Sequence, residues 1–175
     1  MADLDKLRDE HTVILRIVER LRYLIGQSTP PPQLHVLALR YELSAALIVH
    51  LQTEDGFVYP PLLANADPHI VSIGRAFSRE MDGLGAAYVE HCKTWSADAI
   101  AADWAGYSIA SQALLDALTM RISRENRELY PLLRRLDDEG RARAAACNIS
   151  ALGASAGDRA ADRKAPARFR NATGR

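Results

Sequence analysis

His50-x3-Glu54-x4-Tyr59-Pro60 is followed 71 residues later by Arg121-x3-Glu125-x4-Tyr130-Pro131. A second pair, Glu10-His11 and Glu80-Met81, repeats 70 residues apart. Matching offsets in both pairs describe one helical hairpin written twice. The copies differ where it matters chemically. The first carries a histidine at each key position, and the second carries Met81 and Arg121.

Hydrophobic spacing around these motifs predicts an all-α chain. Helix A is expected from about Asp3 to Gln27, with Leu4, Leu7, His11, Ile14, Val18, Leu21 and Ile25 in an unbroken three-four spacing on one face. Pro30, Pro31 and Pro32 end it. Helix B, from about Gln33 to Phe57, carries Val36, Leu39, Leu43, Ala46, His50, Glu54 and Phe57. His50 and Glu54 are stacked neighbours at i and i+4. Helix C starts at an Asp67 cap with Pro68 in its first turn, and its stripe runs Ile70, Ile73, Phe77, Met81, Leu84, Tyr88, His91 and Trp95. Ser96 or Asp98 caps the next helical segment. Helix D, from about Ala102 to Leu129, turns Tyr107, Ser111, Leu114, Leu118, Arg121 and Glu125 inward and ends at Pro131. Short connections predict an up-down-up-down four-helix bundle. A short extra helix comes after it, over about Pro131 to Ala146.

With 175 residues the chain is expected to form one domain over 1–150 and a basic flexible tail over 151–175. From Ser155 onward six Arg or Lys face two Asp, which leaves the body with four excess acidic charges. The tail has too little apolar surface to fold alone, so it reads as solvated and disordered, or as a contact for an acidic protein partner. The whole chain balances 22 basic against 22 acidic residues, which gives no case for nucleic acid. The longest apolar run, around Ala45 to Val49, is too short to cross a bilayer. The charged N-terminus is not a secretion signal. Cys92 and Cys147 form no metal knuckle or disulfide framework, which fits a cytoplasmic location.

The four stripes bring His11, His50, Glu54, Met81, Arg121 and Glu125 to the middle of the core. Buried polar groups need partners. Two imidazoles and a carboxylate, with Glu125 from the opposite helix, are the ligand types of iron, manganese or zinc. A guanidinium cannot ligate a cation. Arg121 therefore either supplies a fixed positive charge beside the carboxylates or reaches out to water. Met81 reads as core filler. Tyr41, Tyr88 and Tyr107 could donate hydrogen bonds to core carboxylates. His91 lies beside Trp95 at the far end of helix C, and His35 and His69 sit at helix starts on the surface.

Asp9-Glu10-His11, His50-x3-Glu54 with Tyr59-Pro60, Arg79-Glu80-Met81, and Arg121-x3-Glu125 with Glu128-Leu129-Tyr130-Pro131-Leu132-Leu133 together resemble the bacterial hemerythrin-like (HHE cation-binding) family, over about residues 3 to 136. The resemblance implies a four-helix bundle holding non-haem di-iron through histidines from all four helices and bridging carboxylates. His11, His50, Glu54 and Glu125 match the family's ligand positions. Met81 and Arg121 stand where histidines are expected, and a further ligand on helix C would fall at Phe77. One half-site is nearly complete and the other is degenerate, which favours mononuclear over di-iron binding. The expected role is metal, oxygen or redox sensing, with dioxygen as a further ligand. Whether the chain is an enzyme stays open. The alternative is a metal-free bundle whose Arg–Glu core network serves protein interaction or regulation.

Overall fold

A computed structural model describes residues 4–161, with side chains through residue 146. By compactness the chain divides into Met1–Leu133 and Arg134–Arg175. Among the described residues there is no strand. Four long helices form the first unit: α1 (Leu4–Ile25), α2 (Gln33–Phe57), α4 (Pro68–Thr94) and α6 (Trp104–Arg124). Two short ones, α3 (Tyr59–Leu63) and α5 (Ala97–Ala102), lie in the connections, and α7 spans Tyr130–Ala161. This is the expected all-α bundle. α1 packs on both α2 and α6, α6 packs on α4, and α3 ties α2 to α4.

α1 buries every residue of its predicted stripe and adds Ile17. α2 buries Val36, Leu39, Leu43, Leu47, His50, Thr53 and Glu54. Phe57, expected inside, is exposed, and Val58, Tyr59 and Leu62 are buried in its place. The side chains of Asp67, Ser96 and Asp103 accept from the backbone N–H of His69, Ala99 and Gly106 and so open α4, α5 and α6.

The first Tyr-Pro site ends α2 at Phe57 as expected, whereas at the second the chain runs on through a widened turn. After α2 the backbone stays helical at Val58 and resumes as α3, with Pro60 and Pro61 in its first turn. After α6 the chain passes through a π-helical turn, Glu125–Leu129, where the N–H of Tyr130 bonds the carbonyl of Glu125. Pro131 has no N–H and its ring crowds the carbonyl four residues back, and a widened turn relieves both. α7 then continues to Ala161, beyond the expected end near Ala146. Residues 162–175 of the basic tail lie outside the described residues.

Gln33–Leu63 is long and apolar enough, by length and composition, to cross a membrane, which the short run of Ala45 to Val49 does not register. Charge along α2 is sparse, so the average over a window is high although no single run is long. In the bundle this stretch turns His50 and Glu54 inward against α1 and α6.

α4 departs furthest from expectation. Of its 27 residues only Gly74 and Phe77 are fully buried. Met81, Leu84 and Tyr88 are half-buried. Gly74 marks a close approach: a Cβ there would stand 2.9 Å from the Leu62 Cβ of α3. Gly74→Val is therefore expected to destabilise the fold by about 1–3 kcal/mol through overpacking. Gly83→Ala, where a Cβ meets nothing within 4 Å, is expected to stabilise by about 0.5–1 kcal/mol through helix propensity. Urea unfolding checks the opposite signs.

Candidate metal centre

α1 supplies His11, α2 supplies His50 and Glu54, and the start of the π turn supplies Glu125. Each of the four offers one ligand atom, and these atoms lie within 4.8 Å of one another. All four side chains are buried. The four residues singled out in the sequence therefore meet at one point.

The imidazoles are held in a specific orientation. His11 Nδ1 faces Asn126 Oδ1 at 3.3 Å, and His50 Nδ1 faces Glu10 Oε2 at 3.1 Å. Each Nδ1 thus faces an oxygen acceptor on the outside, and each Nε2 is turned to the shared centre. Those two Nε2 atoms stand 3.1 Å apart. Glu125 Oε2 lies 3.0 Å from His11 Nε2, and Glu54 Oε1 lies 3.8 Å from His50 Nε2. Two imidazole nitrogens and two carboxylates thus share one small buried space, which a cation or shared protons can fill. Outer hydrogen bonds that fix the tautomer are the usual support of metal-ligating histidines. Glu10 is itself tied down by Thr53 at 3.3 Å and Lys6 at 3.7 Å. The donor set fits a divalent ion of the iron, manganese or zinc type.

Two tyrosines close the site. The Tyr130 hydroxyl donates to Glu54 Oε1 at 3.1 Å and lies 3.3 Å from His11 Nε2. Its ring stacks on His11 with centroids 5.4 Å apart. The Tyr59 hydroxyl donates to Glu54 Oε2 at 3.4 Å. Burial, reinforced by the Glu54 charge, pushes both phenols up, so both remain protonated donors. Sequence reasoning takes these tyrosines only as helix ends. Their identical offset from Glu54 and Glu125 is the available signal. Tyr41, Tyr88 and Tyr107, which could have donated to core carboxylates but at such spacing more usually serve packing, do not fill the donor role. Tyr41 is exposed, Tyr88 bonds Ser44 at 2.7 Å, and Tyr107 belongs to an aromatic group with His91, Trp95 and Trp104.

Arg121 is 5% exposed, so it does not reach water. Its Nε donates to Glu125 Oε1, Nη1 to the Phe77 carbonyl at 3.0 Å and to Glu80 at 3.4 Å, and Nη2 to the Tyr59 hydroxyl at 2.9 Å. The Phe77 ring lies against the guanidinium at 4.7 Å. Arg121 touches Glu125 directly and reaches Glu54 only through Tyr59. Met81 is not in the cluster. It is half-buried and lines an apolar groove between α2, α4 and α6.

The two carboxylates differ in charge state. Burial pushes Glu54 up to about 8, with Glu125 adding to the rise and Arg121 opposing it. Burial also pushes Glu125 up, but the His11 hydrogen bond and the Arg121 charge outweigh it and hold Glu125 below its usual range. Burial and the neighbouring His11 lower His50. Without a cation, then, Glu125 is the anion paired with Arg121 and Glu54 carries a proton at neutral pH. Metal entry must displace that proton, so uptake is linked to proton release.

These features define a helical-bundle protein with a buried cation-binding centre. The family model described as the hemerythrin HHE cation binding domain matches residues 2–133, and the chain belongs to that family. Comparison with curated proteins and with solved structures returns no match.

Metal-stripped protein is expected to lose stability as pH rises from about 7 to about 9. Glu54 has a folded pKa of about 8 against an ordinary 4.5, so its contribution is complete below 4.5 and is lost as pH passes through 8. His50, shifted down from 6.5, contributes stability that is already present throughout this window. Glu54→Gln should flatten the slope. Urea midpoints in chelator at the two pH values check this, and an unchanged wild-type midpoint contradicts a protonated Glu54.

Proposed function

We propose that the chain binds a single metal ion, iron, through His11, His50, Glu54 and Glu125, and serves metal, oxygen or redox sensing in the cytoplasm. The observation that carries this reading is the convergence of four buried ligand atoms, with the two Nε2 atoms 3.1 Å apart and both Nδ1 atoms engaged by outer oxygens. Iron would supply one-electron chemistry and open positions for dioxygen. Zinc or manganese suits the same donors.

The protein's own groups have separate tasks. Asn126 and Glu10 orient the imidazoles. Tyr130 holds a proton at its hydroxyl, aimed at Glu54 and close to His11 Nε2. Arg121 provides one fixed positive charge on the far side of Glu125. Phe77 and Arg121 stand where the family resemblance places ligands of a second ion, and neither can bind one. A single ion is therefore the reading the residues support.

A second reading has its own observation. Arg121 finds four partners in Glu125, Tyr59, Glu80 and the Phe77 carbonyl, and a protonated Glu54 lets the network balance with no ion. In that case the bundle is a metal-free interaction or regulatory module. From charge alone, the basic residues from Ser155 onward are proposed as its contact with an acidic protein partner.

Elemental analysis of protein made without a His-tag and loaded with Fe2+ or Zn2+ separates the two. One ion per chain, abolished in His50→Ala, is the expected result. No ion after loading establishes the metal-free reading, and two ions per chain overturn the single-metal one. Arg121→Met should destabilise the protein by about 3–5 kcal/mol, because Glu125 loses its buried counter-charge. Chemical denaturation reads that loss.

A further inference from the structure

The stripe of α4 is apolar, yet beyond Phe77 it buries nothing completely. Between α2, α4 and α6 it leaves a groove of about 530 Å3. None of His11, His50, Glu54 or Glu125 lines it, so it is separate from the metal centre. Along α4 it runs from Met81 to Lys93, a helical rise of about 18 Å. The groove is therefore elongated along the helix. An extended alkyl chain fits.

The two ends differ. Leu51, Met81 and Leu84 make one end wholly apolar. At the other end lie Ser44 and Tyr88, hydrogen-bonded at 2.7 Å, and Lys93, the one charged residue on the lining. Lys93 holds only a loose pair with Glu90, at 3.9 Å and largely in solvent. Its ammonium is therefore available to an anion at the mouth. Amphipathic side chains of this kind keep the stem on apolar surface and the charge in water. In the middle of the groove Gly85 leaves open space where a Cβ would meet nothing within 4 Å.

We infer that this groove is a binding site for a single-chain amphiphile with an anionic head, of the fatty-acid class. The alkyl chain lies along Leu84 toward Met81 and Leu51, and the carboxylate pairs with Lys93 at the mouth. Apolar burial supplies the affinity and the single cation sets the orientation.

Calorimetric titration of the full chain with dodecanoate tests this. One dodecanoate is expected to bind per chain. Gly85→Leu places a side chain in the groove at a position that welcomes a better helix former, and is expected to weaken binding at least about tenfold while far-UV circular dichroism stays unchanged. Met81→Trp, filling from the apolar end, should do the same and serves if the first variant loses structure. Lys93→Ala should weaken dodecanoate several-fold. Dodecyltrimethylammonium, with the same chain and opposite head charge, should bind at least about tenfold more weakly than dodecanoate. No dodecanoate binding, binding that survives both filling variants, or equal affinity for the two head groups overturns the inference. So does a concentration-dependent dimer that Gly85→Leu dissolves, since a second copy then covers the groove.

Discussion

Two ring nitrogens facing each other at 3.1 Å inside a closely packed bundle impose a condition that the surrounding structure serves. Neither nitrogen is easily turned out of the way, because each ring's other nitrogen is engaged by Asn126 or Glu10. The rings cannot turn without leaving an N–H unpaired in the core, a loss of about 1–3 kcal/mol each. A cation or a shared proton between them would satisfy both. Glu125 and Glu54 complete the enclosure, and their contrasting protonation states show how finely its charge is set: one carboxylate is committed to Arg121, and the other holds a proton that a cation would replace.

The two halves of the duplicated hairpin answer each other residue for residue, and the correspondence explains what Arg121 does. Glu10 accepts from His50, and Glu80 accepts from Arg121. Tyr130 reaches His11 and Glu54, and Tyr59 reaches Arg121 and Glu54. The outer partners are thus intact in both halves, while the inner groups differ. In one half the centre is a pair of imidazoles. In the other it is a guanidinium that carries its own charge and consumes the same hydrogen bonds. Arg121 is a permanent counter-ion for Glu125, held flat against the Phe77 ring. A buried Arg–Glu pair contributes little net stability, because desolvation offsets the attraction. Its consequence is electrostatic: Glu125 stays ionised whatever occupies the space beside the imidazoles.

How much of this is legible in the sequence depends on the element. The α1 stripe reads without error, since its face is covered by α2 on one side and α6 on the other. The four clustered residues are legible for the same reason: each lies in phase with a stripe that is in fact buried. α4 misleads because periodicity says which face turns inward and cannot say whether another helix meets it. Glu10 and Asn126 escape notice as supports of the imidazoles, because each acts across a helix–helix contact on which local spacing is silent. The tyrosines are read through their prolines. Before Pro131 the widened turn shifts the register of the backbone, and Tyr59 and Tyr130 both come into the core five residues beyond their glutamates.

The behaviour of α4 links the altered half-site to the groove. A helix that contributes a ligand must bring its face close to the opposite helices at that depth. α4 makes its close approach at Gly74, where the missing side chain lets Leu62 come near, and again at Phe77 against Arg121. One turn further on, Met81 is already half out of the core. A histidine at position 81 would therefore face the groove rather than the cluster, so restoring the residue type alone would not restore the second half-site. The same geometry leaves Leu84 and Tyr88 without full cover. The same incomplete burial of α4 beyond Phe77 goes with a centre built from only three of the four rods and with the open apolar groove beside it.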